Sequence, residues 1–143
     1  MGLFRSCKYP SVSGIAPKPA MRAPFWHATV NGGGASKNKI AMDKIALLTE
    51  ILAQNPNDAF ARYGLAMEHS SQGDTATALD EFQQLTTAHP DYTAGYQMSA
   101  QLLIKAGREG EARQRLEAGV AAARRTGNAL ALNEMSAMLD ELS

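Results

Sequence analysis

A chain of 143 residues has room for one domain with a sizeable core. Its formal net charge of zero hides a split: residues 1–41 carry six Lys/Arg and no acid, while residues 42–143 carry eight basic residues against fourteen acidic ones, a net charge of −6. The acidic part lacks the basic face that nucleic-acid binding draws on; the lone Cys7 rules out a disulfide framework and fits a reducing, cytoplasmic setting; and no run of eighteen apolar residues is present to span a membrane.

Residues 1–41 read as a disordered basic tail ending in a flexible linker. They hold Pro10, Pro17, Pro19 and Pro24, the only Trp (Trp26) and the run Gly32-Gly33-Gly34, with no sustained helical or strand period. The opening Met1-Gly2-Leu3-Phe4-Arg5-Ser6 fits the loose myristoylation pattern, with Cys7 and Lys8 as second anchoring signals. An acid-free start also suits a transit peptide, but this one is proline-rich and not amphipathic, and no apolar stretch follows Arg5 or Lys8 as a secretory signal requires. The favoured reading is that the tail is incidental and that structure starts at Met42. The run Gly32–Lys37 lacks the Gly-Lys-Ser/Thr ending of a phosphate loop.

Six helices follow. Met42–Gln54 has Ile45, Leu48, Ile51 and Leu52 at helical spacing, and Asn55-Pro56 stops it. Asp58 can cap a second helix running to about Ser71 and ending at Gly73. Asp74 caps a third, with Ala78, Leu79, Phe82 and Leu85, closed by His89-Pro90. Asp91 or Thr93 starts a fourth, with Tyr96, Met98, Leu102, Leu103 and Ile104, closed by Gly107. A fifth runs from about Glu109 to Arg125, and Thr126-Gly127-Asn128 turns into a last helix, Ala129–Leu142. No segment alternates as a strand does, so the class is all-α.

One constant spacing, ~34 residues, separates Pro56 from Pro90, Gly73 from Gly107, Ala78 from Ala112, and Leu48 from Phe82 and Phe82 from Leu116. Small Ala78 and Ala112 suit close helix crossings, and Phe82 and Leu116 suit the space between successive hairpins.

With Leu65-Ala66, Gly73, the Ala78-x3-Phe82 pair and Pro90 in place, the chain resembles a tetratricopeptide repeat protein. Repeat one is residues 59–92. Repeat two, residues 93–126, keeps Tyr96, Ala100, Gly107, Ala112 and Leu116 but has Arg124 in place of the closing proline. Helices 42–54 and 129–142 flank them within a domain of residues 42–143. The resemblance implies a right-handed solenoid of helical hairpins and a non-catalytic adaptor or scaffold that binds another protein. Arg62 stands at the usual Trp position and His69 at the usual Tyr position, so repeat one is divergent.

The resemblance also implies a concave groove lined by the first helices of the hairpins, able to take a peptide or an amphipathic helix. Position by position it points to Phe60, Tyr63, Met67, Ser70 and Ser71, then to Gln97, Gln101, Ile104 and Lys105, with Ala131, Met135 and Met138 joining from the last helix. Against this stands a plainer reading, in which Phe60 and Tyr63 pack on the first helix. The Lys and Asn pair with which some members hold a C-terminal carboxylate is replaced by Tyr63 and Met67. No catalytic constellation, metal site or cofactor is expected: His27, His69 and His89 are scattered, and adjacent His69, Ser70 and Ser71 point apart on one helix. Arg108, Arg113, Arg115, Arg124 and Arg125 read as a solvated face pairing with Glu109, Glu111 and Glu117. A second functional reading is self-association into a homo-oligomer through the last helix, which carries Leu130, Leu132, Met135, Met138, Leu139 and Leu142.

Overall fold

A computed structural model describes residues 37–143. The expectations of a disordered tail, a lipidated Gly2 and a transit peptide fall in residues 1–36 and lie outside the described residues. Six helices and no strand occur among the described residues: α1 (37–54), α2 (Ala59–Ser71), α3 (Thr75–Ala88), α4 (Thr93–Lys105), α5 (Glu109–Thr126) and α6 (Ala129–Glu141). The first helix is already formed at residue 37, ahead of the expected start at Met42. Residues Ala41–Ser143 form one compact unit.

Local chemistry sets most of the boundaries. The Asp58 carboxylate accepts from the Ala61 amide at 2.8 Å, Asp74 from Thr77 at 3.2 Å, and Asn128 from Ala131 at 3.1 Å, each filling an orphan donor of a first turn. α4 starts at Thr93, one of the two expected positions; its N-cap is Tyr92, with no side-chain bond, and Asp91 accepts instead from Arg125. Gly73 and Gly107 turn each hairpin at φ 84° and 75°, left-handed values that a side chain resists.

The helices pair as α2/α3 and α4/α5, with α1 and α6 at the ends. Three apolar clusters hold them. Leu52, Ala61 and Leu65 join α1 to α2 with Ile45 and Leu48 against them. Ala66, Phe82 and Leu85 form the centre of the first hairpin, covered by Tyr63, Met67, Tyr92, Met98 and Leu102. Tyr96, Ala100, Leu116, Val120, Ala131 and Met135 belong to the third, which seats α6 on the second hairpin. The buried hydroxyls of Thr86 and Ser99 donate to Phe82 and Tyr96 carbonyls.

Arg62 explains its own departure from the family pattern. One of its nitrogens donates to Glu81 at 2.8 Å and to Gln84 at 2.7 Å, and another to the Pro56 carbonyl at 3.0 Å. A guanidinium therefore links α2, α3 and the preceding loop where an indole would only pack. The arginines of α5 depart from a simple solvated face. Arg108 pairs with Glu111 as expected, but Arg113 donates to the Leu142 carbonyl, Arg115 to Gln83, and Arg125 to Asp91 and Pro90. Three of the five thus tether neighbouring helices or loops.

The helix starts are not evenly spaced. α2 and α4 begin one repeat apart, at Ala59 and Thr93, whereas a further repeat would start α6 at Gly127 and it begins at Ala129. The cause is α5, which has 18 residues against 14 in α3 and ends at Gly127, φ 70°. The register of α6 is therefore two positions later than the repeat predicts.

Candidate protein-interaction groove

An α-helix turns about 100° per residue, so burial on one side identifies the opposite face. On α2 the buried residues are Ala61, Leu65 and Ala66. Phe60, Tyr63, Met67, Ser70 and Ser71 lie on the other side. On α4 the buried set is Gly95, Tyr96, Ser99, Ala100 and Leu103, which leaves Ala94, Gln97, Gln101, Ile104 and Lys105. These two rows contain every expected groove residue of the two repeats.

The α6 row needs correction. Ala131 and Met135 are buried, at 6% and 0% exposure, and Met138 packs against the same cluster. Ala131 and Met135 occupy the core positions that Ala61 and Leu65 hold on α2. With the shift in register, the corresponding outward residues are Leu130, Asn133, Ala137 and Glu141. The signal was present in the sequence: two repeat steps from the capping Asp58 reach Thr126, while the capping Asn128 lies two positions beyond it.

The rows differ in how free they are. Phe60 is 78% exposed and Leu130 is 68% exposed, at matching ends of α2 and α6, with Ala94 at the same place on α4. Tyr63 is half-buried. Its ring meets Phe82 edge-on at 6.1 Å between centroids and lies 5.6 Å from Tyr92. Burial, and then the nearby Tyr63, push the Tyr92 phenol above its ordinary value. Met67 packs on the Phe82–Leu85 cluster beside Met98 and Leu102. The plainer reading put Phe60 and Tyr63 on the first helix; Phe60 is exposed, and the Tyr63 ring packs on Phe82 of α3 and Tyr92 of the α3–α4 loop. Gln97 donates to Glu134 of α6 at 2.8 Å, and Ser71 donates to the Glu68 carbonyl. Lys105 is exposed at the end of α4. The face is thus an apolar lip at Phe60, a braced Tyr63–Met67 wall, and an amide-rich centre.

A cavity on the α3–α5 side, about 270 Å³, lies away from this face and is lined by residues including Asp80, Arg108, Glu111 and Arg115. Its charges balance, and the Arg108 hydrogen bond holds the Glu111 carboxyl below the usual carboxylate range. Among the described residues no three His, Cys, Asp or Glu side chains converge as a metal site would require, and no helix is long and apolar enough to cross a membrane. His69 lies 3.5 Å from the Asp74 carboxylate, and His89 meets the Asn57 carbonyl at 2.8 Å.

Stacked helical hairpins with a first-helix face of this kind define a helical-repeat interaction module. A sequence model for the tetratricopeptide repeat matches residues 70–133. A TPR repeat-containing protein of Pseudomonas aeruginosa is 32% identical over 95 residues, covering 66% of this chain and 90% of its own. The chain belongs to the tetratricopeptide repeat family. Among solved structures, a tetratricopeptide repeat domain protein from Salinibacter ruber is similar at 29% identity and a TM-score of 0.59, covering 62% of this chain and 90% of that one. The TPR2B domain of yeast Sti1, in a complex described as with pHsp70, shares the fold at 15% identity and a TM-score of 0.66, over 74% of this chain and 85% of that one.

Proposed function

We propose that this chain is a non-catalytic adaptor that binds a peptide or helix of another protein across the outward faces of α2, α4 and α6. The domain doing so is residues 42–143, in a cytoplasmic setting. The observation that carries the reading is Phe60. A phenylalanine left 78% exposed at the lip of a face whose other aromatic, Tyr63, is braced is available as an apolar contact for a partner. Support comes from the Sti1 domain, a similar fold whose structure is of a complex. The homo-oligomer reading, which rested on a broad bare apolar face on α6, has less support than the groove, since Met135 is buried, Leu132, Met138, Leu139 and Leu142 are partly buried against the core, and only Leu130 of that set is strongly exposed.

The test is capture of a partner by the wild-type chain, followed by titration of the captured partner's binding segment. Phe60→Ser and Gln101→Ala are the informative variants, because Phe60 is exposed and neither residue belongs to a core cluster. Weakening by tenfold or more with an unchanged melting temperature supports the groove. A partner that binds both variants as tightly as wild type refutes it.

A further inference from the structure

The two ends of the stack are complementary halves. α1 holds the place of the second helix of a hairpin, one repeat before α3, and the described residues supply no first helix for it. α6 holds the place of a first helix, and the described residues supply no second.

Side chains at the unfilled places show the consequence. On α3, Leu85 is 0% exposed beneath α2; its counterpart one repeat earlier, Ile51, is 37% exposed. Leu47, the counterpart of Glu81, is 59% exposed. In the complete first hairpin Glu81 meets Arg62 at 2.8 Å, side chains 15% and 16% exposed. In the second hairpin the same two places hold Tyr96 and Arg115. At the open ends they hold Leu132, which takes the place of Arg62 in the register of α6 and like it is partly buried, and Leu47 on α1. A polar pair inside one hairpin is thus matched by an apolar pair divided between the two ends. The next place repeats the fit: small Ala66 faces Leu85 within the hairpin, and small Ser136 on α6 corresponds to Ala66 as Ile51 on α1 does to Leu85.

We propose that α6 of one copy and α1 of another pack as first and second helix of a hairpin, so that the protein self-associates head to tail. The contact joins two different surfaces and therefore propagates rather than closing as a symmetric pair. Each junction completes a third hairpin per copy, the number at which such stacks become stable, and places α6 beside the α2 of the next copy. The proposal is independent of the groove reading, because no outward-face residue takes part.

The experiment is sedimentation velocity on the full chain from about 1 µM to about 1 mM, where mass action resolves weak association. The expected result is a mass that climbs past the dimer with concentration. Leu47→Glu and Leu132→Arg should each weaken association by ~10-fold or more. Mixing the two variants should restore it, because the mixture recreates between copies the Arg–Glu pair that Arg62 and Glu81 make within one. Leu47 is well exposed, so Leu47→Glu carries the test if Leu132→Arg lowers the melting temperature. A monomer at every concentration overturns the proposal, including one in which a label at Leu47→Cys is shielded by an occupant within the chain. So does a mass that stops at the dimer, or assembly indifferent to Leu47→Glu.

Discussion

Replacing Gly119 with alanine tests how tightly α6 is seated. A Cβ built at Gly119 would run into the Met135 sulfur and lie 2.8 Å from the Tyr96 Cβ. The thioether belongs to a flexible side chain, but Met135 is 0% exposed and lies within the core cluster, so any retreat displaces packed neighbours. Tyr96 Cβ is fixed to the α4 backbone, so it retreats only if the helix moves. Overpacking of this kind costs ~1–3 kcal/mol, and contact with a backbone-anchored atom places it in the upper half. Alanine returns ~1 kcal/mol in helix propensity, leaving a net loss of ~1–2 kcal/mol. Gly110, on the same helix, supplies the control, since nothing lies within 4 Å of its would-be Cβ. Gly110→Ala should be neutral or stabilising by up to ~1 kcal/mol. Urea titrations followed by circular dichroism, with melting curves beside them, measure both. The two variants should differ by ~1–3 kcal/mol, which for a unit of this size separates their melting temperatures by ~4 °C or more. A Gly119→Ala protein as stable as wild type would refute the close seating of α6 on α4 and α5.

Other outcomes follow from single contacts. Arg62→Ala leaves Glu81 mostly buried without its partner and frees the Pro56 carbonyl; it should cost ~2 kcal/mol, between the exposed and the buried ion-pair cases, by urea titration. Gly73→Ala forces a side chain into φ 84° and should cost ~1–2 kcal/mol by the same measurement, although no neighbour obstructs it. Asp74 is held below its ordinary carboxylate value, chiefly by hydrogen bonds from Thr77, with a smaller contribution from His69. Its stabilising effect is therefore complete above the ordinary value and lost as pH falls through the lowered one; Asp74→Asn should flatten that part of the acid limb in unfolding midpoints measured between about pH 2 and pH 5.

Much of the fold could be read from the chain because its punctuation is local. Asp58, Asp74, Gly73 and Gly107 each act within a few residues of themselves, so their effect shows in a one-dimensional pattern. The outward faces of α2 and α4 were legible for the same reason, being set by helical period and a constant spacing. The α6 row was not, because an extrapolated repeat assumes equal helices and α5 is longer than α3. The arginine tethers were equally hidden. Arg113, Arg115 and Arg125 look like partners for nearby glutamates until the stack brings Leu142, Gln83 and Asp91 to them from far along the chain. The half-burial of Tyr63 depends on Tyr92 and Phe82 arriving from α3 and its loop, which no spacing within α2 announces.

The two kinds of connection in this stack differ in what they allow. The turns at Gly73 and Gly107 face open space, whereas the α1–α2 and α3–α4 loops are gripped from the following hairpin by His89 on Asn57 and by Arg125 on Pro90 and Asp91. Lengthening a free turn costs little beyond chain entropy, ~0.6 kcal/mol per doubling. Lengthening a gripped loop also breaks the grip and changes how one hairpin follows the next. Extra segments, such as an epitope or a second binding element, can therefore be inserted at the two glycines without disturbing the pitch of the solenoid. Residues 55–58 and 89–92 act instead as its gauge, and descent from a common repeat should vary the former sites in length far more freely than the latter.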